Sequence, residues 1–211
     1  MEKIKSSMTN IVLSLTLICL IAGIALATAN KYTEGAIAVS KAAVLQNAIK
    51  NVMPEFDNNP VDEQYKIAVA ENDSLTVYAA KKEGNAVGYA VESYTKDGFS
   101  GLIRVMVGFD AEGKLYNYSV LEHNETPGLG SKMEDWFRRS NNRQNVIGRD
   151  MTKGLLKVSK DGGDVDAITA ATISSRAFLD AINRAYNAYQ GNIDAISGAT
   201  ETDSYNETKQ E

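Results

Sequence analysis

Cysteine occurs once in the 211-residue chain, and so does histidine. A single cysteine excludes an internal disulfide framework and any multi-cysteine zinc or iron–sulfur site. A single histidine excludes a two-histidine metal centre and leaves little for a Ser-His-Asp triad. A basic excess is missing too. The formal net charge is −5, whereas a nucleic-acid binder usually carries a basic face. The usual hydrolytic machinery is therefore largely excluded, and no metal is expected. What is present is ordinary: 44% apolar and 23% charged residues, the composition of one globular domain with something added.

The addition is N-terminal. No charge occurs from Ser6 to Asn30, and Ile11–Ala29 (IVLSLTLICLIAGIALATA) is almost wholly apolar over 19 residues. At a rise of about 1.5 Å per residue, such a helix nearly crosses a hydrocarbon core of about 30 Å. Ser14 and Thr16 can back-bond to the helix. Lys3 and Lys5 precede the run against Glu2 alone. That bias places the N-terminus in the cytoplasm and everything after Asn30 outside. The alternative is a cleaved signal peptide, with Ala27-Thr28-Ala29 as a small-x-small cleavage site. Either reading exports the remainder. Cys19 lacks the small upstream residues that lipid attachment needs and reads as a small membrane apolar residue.

In the exported part, Glu34–Val52 predicts a helical stalk, stopped by Pro54 and Asn58-Asn59-Pro60. Leu75–Ala80, Ala86–Tyr94, Leu102–Phe109 and Leu115–Leu121 are rich in β-branched and aromatic residues and predict strands. The short turn Asp110–Gly113 predicts an antiparallel hairpin of the last two. Ile103, Val105, Val107 and Phe109 share one face of their strand and Leu102 and Met106 the other, so burial on both sides is expected. Lys132–Arg139 reads as a short helix, Leu155–Val158 as a further short strand and Ser174–Tyr189 as a strongly amphipathic helix. The fold class is therefore α+β, an antiparallel sheet covered by helices. The expected organisation is a membrane anchor over 1–30, a stalk over 31–60, an extracytoplasmic domain over 61–190 and a polar, acidic tail over 191–211, disordered from Glu201.

One motif bears chemistry. Asp166-Ala167-Ile168-Thr169-Ala170-Ala171-Thr172 stands directly before the amphipathic helix. A second copy, Asp194-Ala195-Ile196-Ser197-Gly198-Ala199-Thr200, occurs 28 residues later with five of seven positions identical. The bland reading is a loop ending in a hydroxyl cap, with Ser174 or Ser175 as N-cap. The functional reading uses the free N–H groups and the dipole of the helix start, which favour a phosphate. Small Ala170 and Ala171 would let something bulky reach Thr172.

The Asp-x-x-(Ser/Thr)-(Gly/Ala)-Ala-Thr pattern resembles the flavinylation site of FMN-binding domains, where FMN is joined through its phosphate to the threonine hydroxyl. The loop Glu125-Thr126-Pro127-Gly128-Leu129-Gly130 resembles the second hallmark of that family, and the hairpin Gly98–Ile103 through Gly113–Leu115 matches its strand pattern. With the anchor, residues 1–190 resemble the G subunits of Rnf-type ion-translocating electron transport complexes. The C subunits of sodium-translocating NADH:quinone reductases share both motifs and remain an alternative.

The resemblance implies a covalent FMN phosphoester on Thr172. Asp166 and Thr169 would be read by a magnesium-dependent flavin transferase that uses FAD. Glu125, Thr126, Gly128, Leu129 and Gly130 would lie against the flavin ring. There Gly128 and Gly130 would let backbone N–H groups approach, and Leu129 would give an apolar contact. Ala170 departs from the family, which more often has glycine there; the tail copy keeps Gly198. Thr172 is favoured over Thr200 because a helix comes directly after it, while Glu201 and Asp203 would repel a phosphate at the tail copy.

The implied function is a single-pass protein of the cytoplasmic membrane with its FMN domain outside. It would carry electrons, without turnover of its own, in a complex coupling ferredoxin/NAD electron transfer to ion translocation. Its partners would be the other subunits. An extracytoplasmic flavin-linked reductase and a non-redox anchored interaction module, with both threonine motifs as caps or linker, also stay open. Among lesser candidates, His123 reads as a partly exposed strand terminus near the flavin loop, and Trp136 and Phe137 as core. Arg138-Arg139 reads as a solvated helix end, and Lys132 as a residue that could pair with the phosphate.

Overall fold

The computed structural model describes residues 8–70, 73–141 and 143–196. Residues 197–200 of the second motif copy, and the tail beyond them, lie outside the described residues. The chain divides into two compact units after Val44.

The first unit is most of helix α1, Met8–Val52. Anchor and stalk form one unbroken helix, because no proline occurs before Pro54. It is long and apolar enough to cross a membrane. Ser14, Thr16, Thr28 and Thr33 bond back to carbonyls of the preceding turn. Ser14 donates to the Ile11 carbonyl at 3.0 Å, and Thr16 to that of Val12 at 2.8 Å. That is what apolar surroundings require of a polar side chain.

The second unit is built on a five-stranded antiparallel meander in sequence order. Its strands are β1 (Tyr65–Ala70), β2 (Asp73–Lys82), β3 (Asn85–Gly98), β4 (Gly101–Asp110) and β5 (Leu115–His123). The last four are those expected. The β2–β3 turn holds Glu83 and Gly84 at φ 53 and 82, the primed geometry that matches strand twist. β1 was not foreseen. Tyr65, Ile67 and Val69 alternate toward the core with Lys66 and Ala68 between them, but the run is only six residues long.

Both faces of the sheet are covered. On one lies α3 (Thr172–Ile196), whose Ala177, Phe178, Ala181, Ile182, Ala185 and Tyr189 are buried against Val77, Val91, Ile103, Val105, Val107 and Phe109. Phe178 stacks on Phe137 with centroids 4.7 Å apart, and Tyr189 on Phe109 at 5.0 Å. On the other face, Ala48, Ile49 and Val52 at the end of α1 pack with Met53 on Tyr78, Ala80, Ala90 and Met106. β4 is thus buried on both sides, as its pattern predicted. Gly108 permits the second contact, since a Cβ there would sit 1.6 Å from the Val52 carbonyl oxygen.

Three expectations are corrected. Leu155–Val158 is no strand. Asn183 replaces the strand partner by bonding the Leu156 N–H and carbonyl, each at 2.9 Å, and only Val158 bridges Val165. The short helix is trimmed to α2, Met133–Trp136, after a 3₁₀ turn at Gly130–Lys132. Finally, α3 starts two residues before Ser174 and runs seven residues beyond Tyr189, to Ile196.

Candidate functional site

A cavity of about 330 Å³ opens where three segments converge. Phe99 comes from the β3–β4 turn. Glu125, Thr126, Leu129 and Gly130 come after β5, and Ala170–Ser174 lead into α3. The two motifs, distant in sequence, line one space. The volume lies in the range of small-molecule sites, roughly 300–1,000 Å³.

Glu125 joins the motifs. It is 4% exposed. Its Oε2 accepts the Ser174 hydroxyl at 2.6 Å and its Oε1 the Ser100 N–H at 3.0 Å. Glycines make room for it. A Cβ at Gly98 would lie 2.7 Å from Oε1, and one at Gly130 would lie 2.5 Å from Oε2. The carboxylate therefore ties the β3–β4 turn, the flavin-type loop and α3 together.

Thr172 is the first residue of α3 and half-buried. Neither Ser174 nor Ser175 caps the helix, contrary to expectation. Ser174 is drawn to Glu125. The Ser175 hydroxyl donates to the Ala171 carbonyl at 2.9 Å and accepts the Ile168 N–H at 2.9 Å. Among the described residues, the N–H groups of Thr172, Ile173 and Ser174 meet no acceptor, as first-turn amides lack an upstream carbonyl. Ala170 has φ 62, a left-handed conformation that glycine adopts freely. The departure from the family pattern thus falls where glycine fits the backbone better.

Not every expected residue reaches the cavity. Asp166 serves the loop. Its carboxylate accepts the Ser159 hydroxyl at 3.2 Å and the Arg143 N–H at 3.3 Å, and its carbonyl accepts the Trp136 indole N–H at 2.9 Å. Thr169 is exposed in the next turn and does not line the space. Gly128, at φ 77, donates its N–H to Ser131 Oγ at 2.9 Å rather than toward a ring. Gly130 is buried and its lack of Cβ serves Glu125. Leu129 lines the cavity at 40% exposure, as expected of an apolar contact.

His123 is anchored, its Nδ1 accepting the Glu125 N–H at 3.2 Å. Phe137 is core, and Trp136 packs partly buried against it. Arg138 is exposed but not free: its guanidinium sits 4.2 Å over the Tyr118 ring and bonds the Tyr118 carbonyl. Two lining residues escaped sequence reasoning: Phe99, 68% exposed at a hairpin tip, and Ile173, 49% exposed in the first turn of α3. The available signal was a large apolar residue in a tight turn between Gly98 and Gly101. The cation at Thr172 is Lys160, not Lys132; its Nζ donates to Thr172 Oγ1 at 3.2 Å.

An apolar cavity joined to an uncapped helix start is what a flavin nucleotide requires, and residues 98–187 match the FMN-binding domain family. Over 167 residues the chain is 37% identical to the G subunit of the ion-translocating oxidoreductase complex of Photorhabdus laumondii, covering 75% of this chain and 78% of that one. It is 40% identical to the same protein of Erwinia tasmaniensis over 141 residues, covering 63% and 66%. It is 34% identical to that of Shewanella amazonensis over 174 residues, covering 78% and 80%. The chain belongs to the family of ion-translocating oxidoreductase complex G subunits.

Proposed function

We propose that this protein is an electron-carrying subunit of an ion-translocating oxidoreductase complex, with FMN in the cavity between Glu125–Gly130 and Ala170–Ser174, esterified through its phosphate to Thr172. The observation that carries the reading is the position of Thr172. Its hydroxyl stands at the unpaired N–H groups of α3, beside a space that both motifs line. Those amides suit phosphate oxygens. Phe99, Leu129 and Ile173 suit a flat apolar ring and keep water from it. FMN, when bound, supplies one- or two-electron chemistry, which the protein positions and tunes. Glu125 fixes the loop against α3 and so sets the width of the slot.

The finer reading runs along the same line. A flavin transferase attaches the cofactor, with FAD as donor. The lysines before the apolar run put the domain on the extracytoplasmic side. A covalent bond is useful there, since no cytoplasmic flavin pool replaces a lost cofactor. The neighbouring subunits pass electrons between ferredoxin and NAD and couple that flow to ion movement.

The test is a denaturing gel read by flavin fluorescence after co-expression with the transferase. Thr172→Ala should abolish the fluorescent band, with Thr200→Ala unchanged. A fluorescent Thr172→Ala protein together with a dark Thr200→Ala protein would overturn the assignment.

A further inference from the structure

We propose that Lys160 positions the Thr172 hydroxyl for flavin attachment and afterwards neutralises the phosphodiester, an inference that rests on the attachment reading above. Its Nζ donates to Thr172 Oγ1 at 3.2 Å, its one hydrogen-bond partner among the described residues. No carboxylate there forms an ion pair with it, and the neighbouring Asp161, whose carboxyl it helps to hold low, is already clamped by Arg176. The cation is left for an anion that arrives at Thr172.

The placement is built. Lys160 sits in the 3₁₀ turn Ser159–Asp161. On one side Asp161 takes a two-pronged bond from Arg176, at 2.7 and 2.6 Å, one helical turn beyond Thr172. On the other, Ser159 bonds Asp166 at 3.2 Å and its N–H donates to the Val165 carbonyl at 2.7 Å. Arg176 holds the Asp161 carboxyl below the usual range, so that clamp stays charged in mild acid. Gly163 closes the turn, where a Cβ would lie 2.1 Å from the Lys157 carbonyl oxygen. Asp166 thereby gains a role as a strut for the lysine turn.

The chemistry balances. Thr172 Oγ1 attacks the flavin-side phosphorus of FAD. The new O–P bond forms, the pyrophosphate P–O bond breaks and AMP leaves. The hydroxyl proton passes to a base of the transferase. The ammonium occupies one lone pair of Oγ1, orients the other toward phosphorus and offsets negative charge gathering there. In the product, Oγ1 is an ester bridge and a poor acceptor. The ammonium then turns to the non-bridging oxygens, which carry the charge.

The experiment uses the full-length protein in detergent with purified transferase, FAD and magnesium, read by in-gel fluorescence and intact mass. Lys160→Met should slow attachment about tenfold or more, the worth of one charge-assisted hydrogen bond, with KM for FAD and the unloaded Tm unchanged. Lys160→Arg should restore most of the rate, and Lys153→Met should label as the wild type does. Wild-type speed in Lys160→Met overturns the inference and leaves the attachment reading standing. Equal slowing in Lys160→Arg with a lowered Tm also overturns it, showing a structural role. A wild type that gains no flavin mass overturns the attachment reading itself, and this inference with it.

Discussion

Removing Glu125 tests whether the two motifs are held together as described. Its carboxylate accepts one hydroxyl and one backbone N–H and meets no cation among the described residues. Hydrogen bonds to a charged group are worth about 1.5–3 kcal/mol each when a partner is removed. Glu125→Ala does not lose both in full. Ser100 is exposed, so its N–H turns to water, and the Ser174 hydroxyl can rotate to a carbonyl of the preceding turn. The deletion also relieves the cost of burying an unpaired charge. A net loss of about 2 kcal/mol remains, which for a chain of this size lowers Tm by about 4–8 °C. Glu125→Gln keeps the shape, offers an oxygen to Ser100 and an NH₂ to Ser174, and should cost less than about 1 kcal/mol. Thermal unfolding of the full-length protein in detergent, monitored by fluorescence, measures both. Trp136 is the one tryptophan and bonds the Asp166 carbonyl, so it reports on the motif loop itself. Equal losses in Ala and Gln, or no loss in either, would refute the reasoning.

Ala170→Gly should stabilise the protein. A left-handed alanine costs about 1–2 kcal/mol and glycine's extra chain entropy returns about 0.5–1, so the denaturant midpoint should rise; a fall would contradict the strain at φ 62. Gly108→Ala should cost about 3 kcal/mol or more, because its Cβ meets backbone rather than a movable side chain; a soluble variant with an unchanged midpoint would show that α1 does not press on β4 there. Asp73→Asn should show a pH signature. The Tyr94 hydroxyl, then Arg184, hold the Asp73 carboxyl below its usual range. A depressed carboxyl contributes stability above its unfolded pKa of about 3.9 and loses it as pH falls through the lower folded value. The deficit of Asp73→Asn, about 1–2 kcal/mol at pH 7, should therefore close toward pH 3, and denaturant titrations showing a constant deficit would refute the assignment.

The parts legible in sequence are those governed by local period. β4 and β5 read correctly because runs of β-branched and aromatic residues bounded by turns mark strands, and α3 because its apolar stripe is wide. The unread parts depend on contacts made far along the chain. The helical face at Ala48, Ile49 and Val52 was visible, but nothing local says that it packs on Tyr78 and Met106. Leu155–Val158 has strand composition and no strand, since an asparagine side chain on α3 takes its backbone bonds. The start of α3 was misplaced by a sound rule, because the serine that should cap it is recruited by a glutamate 49 positions away. Phe99 and Lys160 were missed for the same reason. Each is an ordinary surface residue until the fold sets it beside Thr172.

The repeat of the motif can now be weighed on backbone shape. In the first copy, Asp166, Ala167 and Ile168 are non-helical. Ile168 is buried, its N–H fixed by Ser175, and its carbonyl accepts the Ala171 N–H at 3.0 Å to close a turn through left-handed Ala170. That turn delivers Thr172 as the first helical residue, with its amides unspent. In the second copy the same triplet, Asp194-Ala195-Ile196, forms the last residues of α3. One tripeptide thus takes two conformations, set by its neighbours along the chain and its packing surroundings rather than by its own propensity. A transferase that reads only the string of residues should label both copies. One that reads the loop, with its acid turned back on Arg143 and Ser159, finds that shape before Thr172 and not over Asp194–Ile196. Intact mass of the wild type decides between them. A gain of one flavin, lost in Thr172→Ala, means that the fold selects the site, and a gain of two means that the sequence alone does.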